Sequence, residues 1–563
     1  MKNTMRFSSS ISLAVPSRRL RLRLPSLFVT VAMLLLLLSI ASSSYADSAT
    51  WKANPGSGDW NTASNWTPQT IPNDISDTAT FASSNRTAVS ISDVDTGVDG
   101  VVFNAGASAF TITVRPQINY GGVLILTFWG VGITNNSGIT QKFVTEVNGA
   151  GDIGRIDFAG TSTAGDATFI NNGGTATDGR RPVTNFLYDS TAGSGTFTNN
   201  GSAVSGAYGG FIGFNGTSTA GSGTFKNNGG GATDAGGAET FFFDDSTAGS
   251  GTFTNNGGAV SGAYGGWTVF NFNSAAGNAV LIANGGVADS EGGGIIFSDE
   301  SHGDTARVEV FDNGYLDISY HAAGSVPIGS LEGNGLVFLG ANNLTVGTNE
   351  LSTVFSGVVQ DGGQHGGRRG SLTKTGTGKL VLSHPNTYTG ATIVKRGKLM
   401  VNNTGGSGTG SGPVHVHGGW LGGKGIIAGA VTVGTGSGSG AVLSPGYQHG
   451  PNKLGALTIQ STLTFNSDAT YEAELNSSIT TADQVIANGV TINSGAQFSF
   501  ADLGSGTLTP GTVFTVINNT AATPIAGTFS NLPDGSIFTS NGNTYQVNYE
   551  GGDGNDLTLT VVP

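Results

Sequence analysis

A thirteen-residue string, "DSTAGSGTFTNNG", runs from Asp189 to Gly201 and returns unchanged from Asp245 to Gly257. A fixed internal period limits the architecture of a chain more than any other sequence feature, because each copy is a unit too small to bury its own apolar face. The element Ser-Thr-Ala-Gly begins at Ser162, Ser190, Ser218 and Ser246, and a weaker Ser-Ala-Ala-Gly begins at Ser274, so the interval is 28 residues throughout. Longer blocks repeat at 56: "GSAVSGAYGG" from Gly201 returns as "GGAVSGAYGG" from Gly257, and Ala176-Thr177-Asp178 returns as Ala232-Thr233-Asp234. A two-unit block has been duplicated.

The period preserves three sets of residues. Phe158, Phe186, Phe214, Phe242 and Phe270 form one, and Phe169, Phe197, Phe225, Phe253 and Leu281 a second. Asn172, Asn200, Asn228, Asn256 and Asn284, each followed by Gly, form the third. The aromatic positions lie in short runs rich in Thr, Phe, Tyr and Val that end in Gly or Asn-Gly, which is strand and turn chemistry. Stacked copies would rise by the strand spacing of about 4.8 Å, setting Phe on Phe inside and Asn amides in hydrogen-bonded columns at the corners. The expected fold is therefore all-β: a right-handed parallel β-helix with a β-rich C-terminal cap, continuous from about Val123 to Val401. Composition agrees. Gly supplies 93 of 563 residues and charged residues only 11%, against averages of about 7% and 25%. There is no three-residue Gly period, and the 30 Phe oppose wholesale disorder.

Lys2, Arg6, Arg18, Arg19, Arg21 and Arg23 precede the apolar run Leu27 to Ala41, and Ser44-Tyr45-Ala46 offers small residues at both cleavage positions. This pattern reads as an export signal spanning residues 1–46, of Sec type, with the mature chain starting at Asp47. The apolar run is shorter than the roughly 20 residues that span a bilayer, so no integral membrane segment is expected in the mature chain. Cleavage takes away six Lys and Arg and no acid, leaving 18 basic against 37 acidic residues, a net charge of −19. Such a chain should repel nucleic acid and anionic lipid. With no Cys, disulfides, Cys-based zinc sites and thiol catalysis are excluded.

A further segment, Gly370 to Asn403, contains Leu372-Thr373-Lys374-Thr375-Gly376, Gly378-Lys379-Leu380, Asn386-Thr387-Tyr388-Thr389-Gly390 and Gly397-Lys398-Leu399. It resembles the autotransporter-associated β-strand repeat of bacterial passenger domains. From the residues alone, Leu380 and Leu382 share a strand face, Thr387 to Gly390 turn a corner, and Ile393 and Leu399 to Val401 return as strand, one more solenoid turn. "GWLGGKGIIAGAVTV", Leu443 to Gly446, "TYEAELN" and the final "NYEGGDGNDLTLTVV" resemble segments that follow the repeat in such proteins, and "WKANPGSGDWNTASNW" resembles their opening. The resemblance implies a secreted or surface β-helix and no particular activity. Within residues 404–563 no translocator barrel is expected, since Gly and Ser crowd the first part of that span while each barrel strand needs about ten alternating residues.

Candidate chemical residues are few. Glu472 and Glu474 alternate on one strand face, with a carboxyl separation of about 6.7 Å that overlaps the range of inverting glycosidases. Tyr471, Ala473 and Leu475 take the other face, so a solvated role is expected for both acids. Asp189 and Asp245 fall in register with Thr161, Thr217 and Asn273, and Asp244 adjoins Asp245, which suits a corner. His415 and His417 share a strand face but show no third ligand. Gly551 to Leu559 formally fits a calcium-binding nonapeptide, yet Thr558 stands where a large apolar residue belongs, and a hairpin fits better. "GSGTGSG" from Gly406 lacks a phosphate-loop Lys and reads as linker. No catalytic, metal or cofactor residue is assigned. The organisation expected is a signal (1–46), an N-terminal β module (47–122), a β-helix of 28-residue units (123–340), the passenger-type repeat (341–403), a Gly/Ser-rich continuation (404–460) and a C-terminal cap (461–563). Its expected role is a non-enzymatic, adhesin-like scaffold on the outer surface of a bacterium or secreted from it, meeting glycans or cell surfaces. A carbohydrate-active β-helix enzyme, lyase or hydrolase, is the alternative.

Overall fold

The structure, a computed structural model, describes residues 48–563 apart from 118–119, 178–179, 323, 439 and 447–453. The export signal, the mature start at Asp47 and the repeat residue Asp178 lie outside the described residues. Strands dominate, and one single-turn 3₁₀ helix occurs at Ala63–Asn65. The strands stack into a parallel β-helix. Each 28-residue unit supplies one strand to each of two sheets: Val183–Phe186 and Thr196–Asn199, then Phe211–Phe214 and Thr224–Asn227, then Glu239–Phe242 and Thr252–Asn255. Residues 28 apart are direct partners, Phe186 with Phe214 and Phe214 with Phe242, Phe197 with Phe225 and Phe225 with Phe253. On the third side the units touch through single bridges joining Thr163, Thr191, Thr219 and Thr247. From Ser325–Ile328 onward that side becomes a parallel sheet of its own, which runs to Val490–Ile492.

Parallel pairing starts well before Val123. Ala49–Trp51 pairs with Thr78–Phe81, that strand with Thr96–Phe103, and that in turn with Val123–Asn135. Trp66–Thr67 closes the first edge by pairing antiparallel to Ala49–Trp51. There Trp66 sits edge-on to Trp51 at 5.0 Å and to Trp60 at 4.9 Å, all three indoles buried. At the other end the coil gives way to antiparallel pairing among Val513–Asn519, Asp556–Val562, Asn543–Gly551 and Ile537–Ser540.

The interior is two columns of phenylalanine. Phe197, Phe225 and Phe253 lie nearly parallel, with centroids 4.7 and 4.5 Å apart, and Phe186, Phe214 and Phe242 repeat this at 4.7 and 4.6 Å. The columns meet edge to face, Phe214 on Phe225 at 5.8 Å and 74°, so each ring edge points at a neighbouring π face. The expected corner column of amides is present: Asn200 donates to Asn172 at 3.0 Å, Asn228 to Asn200 at 3.1 Å, Asn256 to Asn228 at 3.0 Å and Asn284 to Asn256 at 2.9 Å. A second column, one residue earlier, is fully buried, with Asn171 donating to Asn199, Asn199 to Asn227 and Asn227 to Asn255, each at 2.8 Å. It ends at Asn255, because Ala283 follows in register. The buried serines at 162, 190, 218 and 274 stack as well, and no hydrogen bond among the described residues explains their hydroxyls.

Candidate binding faces

The residues singled out from the sequence do not converge. Asp189 accepts a hydrogen bond from the Thr217 hydroxyl, Asp244 from the Gly216 N–H at 3.0 Å, and Asp245 from Asn273 at 3.4 Å, all at exposed corners. His415 and His417 stand with rings 6.1 Å apart; partial burial and the neighbouring imidazole hold His415 below its usual pKa. Among the described residues no group of three His, Asp or Glu could hold a metal ion. Gly551 to Leu559 lies in the hairpin of Asn543–Gly551 and Asp556–Val562, with Tyr545 opposite Val561 and Val547 opposite Leu559. The Gly-Ser run from Gly406 is no linker: the Ser407 hydroxyl accepts the Ala428 N–H at 3.0 Å, and the Gly408 N–H donates to Ile426 O at 2.8 Å. It is one packed side of a turn.

Glu474 corrects the expectation of a solvated acid. It is buried at 4% exposure, where the chain doubles back beside the strand and Ala482 pairs antiparallel with Leu475. That fold-back brings Asp483 against it, a partner the sequence reading missed. Asp483 accepts from the Gly455 N–H at 2.9 Å and the Glu474 N–H at 3.3 Å. Burial, reinforced by the Glu474 charge, pushes its carboxyl up to about 7.

The outward face of the first sheet holds the larger surprise. Two columns of outward positions run along it, Phe211, Glu239, Trp267, Gly294, Tyr315, Leu336 and, two residues on, Gly213, Phe241, Val269, Ile296, Asp317, Phe338. Water would ordinarily claim these positions. Here Val269, Ile296 and Tyr315 are buried against Phe241, Trp267, Leu336 and Phe338, an apolar cluster outside the core. Only Gly fits at 294, where a Cβ would lie 2.7 Å from the Tyr315 ring. Polar groups rim the strip: Arg181 pairs with Glu239 at 2.6 Å and lies 4.5 Å over the Phe211 ring. The Tyr315 hydroxyl donates to Glu291 at 3.1 Å and accepts from Gln364 at 3.0 Å. Burial raises the pKa of both Glu291 and Tyr315. The signal was present in "ETFFFDD" and "GGWTVFNF", where apolar residues occupy consecutive positions and alternation fails. Aromatic faces edged by carboxylate, guanidinium and amide groups suit contact with other surfaces and with sugar rings.

Among the described residues no helix is long and apolar enough to cross a membrane. Residues 372–401 match the passenger-associated-transport-repeat family. They comprise Ser371–Lys374, Lys379–Leu382, Thr392–Val394 and Lys398–Val401, with Tyr388 fully buried at the corner between them. The chain is also 33% identical over 108 residues to the adhesin BmaC autotransporter of Brucella suis biovar 1 (strain 1330), a match covering 19% of this chain and 3% of that protein. Residues 372–401 are thus an autotransporter passenger-type repeat, built here as two successive rungs of a longer parallel β-helix rather than the single turn expected, since Ser371–Lys374 pairs with Thr392–Val394 and Lys379–Leu382 with Lys398–Val401.

Proposed function

We propose that the chain is a non-catalytic adhesive scaffold presented outside a bacterial cell, at its surface or secreted from it, and that it meets cell surfaces or glycans through the outward apolar strip. The strip carries this reading, since a solenoid needs no apolar residues on its solvent side, and here Phe241, Trp267, Leu336 and Phe338 stay half-buried on that side around a buried apolar centre, an arrangement suited to contact with another surface. The passenger-type repeat and the adhesin relative support it. The test applies the mature chain and Trp267→Ala to glycan and matrix-protein arrays and to intact cells. The parent should bind and the variant bind at least about fivefold more weakly, central aromatic anchors carrying most of a contact's energy. Equal binding by both would remove the strip from the proposal. A second reading, a polysaccharide-active enzyme, draws on Asp483, a carboxyl held near neutrality beside Glu474; polysaccharide cleavage by the parent that Asp483→Asn abolishes would replace the scaffold with it.

A further inference from the structure

Charge is distributed along the solenoid in a way the net value hides. Residues 362–467 contain nine Lys and Arg and no Asp or Glu, whereas the rest of the mature chain holds nine Lys and Arg against 37 acids. Because successive turns stack in chain order, this sequence interval becomes a basic sector of the shaft. Within it Lys379 lies in register with Lys398, and Lys398 with Trp420, on the second sheet. The Lys398 ammonium sits 5.1 Å from the Trp420 ring, which is 37% exposed. Lys395 and Arg396 are exposed at the turn leading into the Lys398 strand, and exposed His417 occupies the same turn one rung on. Elsewhere arginines are neutralised locally, Arg155 by Asp157, Arg181 by Glu239 and Arg307 by Glu332. Lys395, Arg396 and Lys398 form no ion pair among the described residues. Lys374 belongs to a different category: it is buried, its ammonium donates to the Thr375 and Gly376 carbonyls, and burial lowers its pKa to about 8.

We propose that this corner binds a linear anionic polysaccharide, its carboxylate or sulfate groups lying along the Lys and Arg column and a sugar face on the Trp420 indole. The proposal deepens the adhesive reading by naming a ligand class, and it rests on that reading for its biological setting. Cations one rung apart repeat at about 4.8 Å, which favours a polymer of repeated charge over a single anion. A net charge of −19 does not forbid it, since exposed charges are screened beyond a Debye length of about 8 Å at physiological salt. The acids that bound the sector, Asp361 and Asp468, are engaged by local donors, Asp361 by the Gly370 N–H and the Thr389 hydroxyl and Asp468 by the N–H groups of Thr435, Gly436 and Gly438, while Glu350 accepts from the Thr377 hydroxyl.

The test measures retention of the mature chain on immobilised heparin, hyaluronate and neutral dextran as NaCl is raised. Heparin or hyaluronate should hold the chain at low salt and release it with rising salt, and dextran should not hold it. The triple variant K395Q/R396Q/K398Q should bind about tenfold more weakly, as expected for three exposed charge contacts, with an unchanged melting temperature. Trp420→Ala should weaken binding without altering its salt dependence. Failure of both charged polymers at low salt, or equal binding by the triple variant, overturns the proposal. So does salt-sensitive self-association lost in the triple variant with no polymer retained, which would place the acidic turns of a second copy at this corner. Cell adhesion that persists in the triple variant and falls in Trp267→Ala would leave the adhesive reading intact and limit any failure to the corner.

Discussion

Three positions recur in the left-handed backbone through the repeat block, one of them at Gly206, Asp234 and Gly262, and the other two tolerate side chains differently. Gly193, Gly221 and Gly249 have φ near +60°, and a Cβ on Gly221 would lie 2.4 Å from the Gly193 carbonyl oxygen of the preceding turn. The other position is filled by Gly160, Tyr188, Gly216, Asp244 and Phe272, all left-handed, at an outer corner where three of the five carry side chains and a Cβ on Gly216 would lie 3.2 Å from Tyr188 Cα, less tight than at Gly221. Gly221→Ala should therefore destabilise by at least about 2 kcal/mol, combining the left-handed penalty with a backbone clash, while Gly216→Asn should cost under about 1 kcal/mol. Denaturant midpoints of the two variants check this. Asp483 gives a pH prediction. Its folded pKa of about 7 stands above the usual 3.8, so its contribution favours the folded state at low pH and is lost as pH rises from about 4 through 7. Asp483→Asn should shrink the fall in midpoint between pH 5 and pH 8 relative to the parent; an identical fall would show that the carboxyl is ionised throughout. This residue marks a boundary of what sequence reveals. Two-residue alternation correctly placed Tyr471, Ala473 and Leu475 inside but put Glu474 in water, since alternation cannot know that the chain returns to lay Asp483 beside it.

The element is the turn of the coil, and its energy lies in contacts with the turns on either side. Phe225 is fully buried, stacked between Phe197 and Phe253 and met edge-on by Phe214. Phe225→Ala should cost about 3 to 5 kcal/mol, and hydrogen exchange should speed first in Thr196–Asn199 and Thr252–Asn255, the strands paired with its own. Uniform acceleration across all strands would show that the coil opens as one unit. The inward columns were legible because a buried position must be refilled with the same shape in every turn, which leaves a strict period. The outward strip was not, because Phe211, Glu239 and Trp267 share a register position with no shared residue type, and only their stacking shows that they form one surface. The inner amide column escaped for a different reason: Asn171 and Asn172 are neighbours of one kind, and the sequence does not say which faces in.

At the scale of the molecule, a parallel stack has two open edges, each a template for pairing with another chain. Both are closed by antiparallel segments, Trp66–Thr67 at one end and Ile537–Val562 at the other. Trp66→Ala should unseat the first closure, at a cost of about 3 to 5 kcal/mol. Exposing the edge of Ala49–Trp51 should make sedimentation concentration-dependent in the variant but not in the parent. Between the closures, the turns of the repeat block are interchangeable. Asp189 to Gly201 and Asp245 to Gly257 are identical strings in equivalent places, so recombination between their coding sequences would remove or add 56 residues and leave every Phe and Asn column in register. Each such event changes the reach of the protein by two rungs, about 9.6 Å, and leaves the basic sector and both ends unaltered. The length of this shaft is thus a heritable quantity that can drift or be selected in fixed steps, each step also lengthening or shortening the outward strip through Phe211, Glu239 and Phe241.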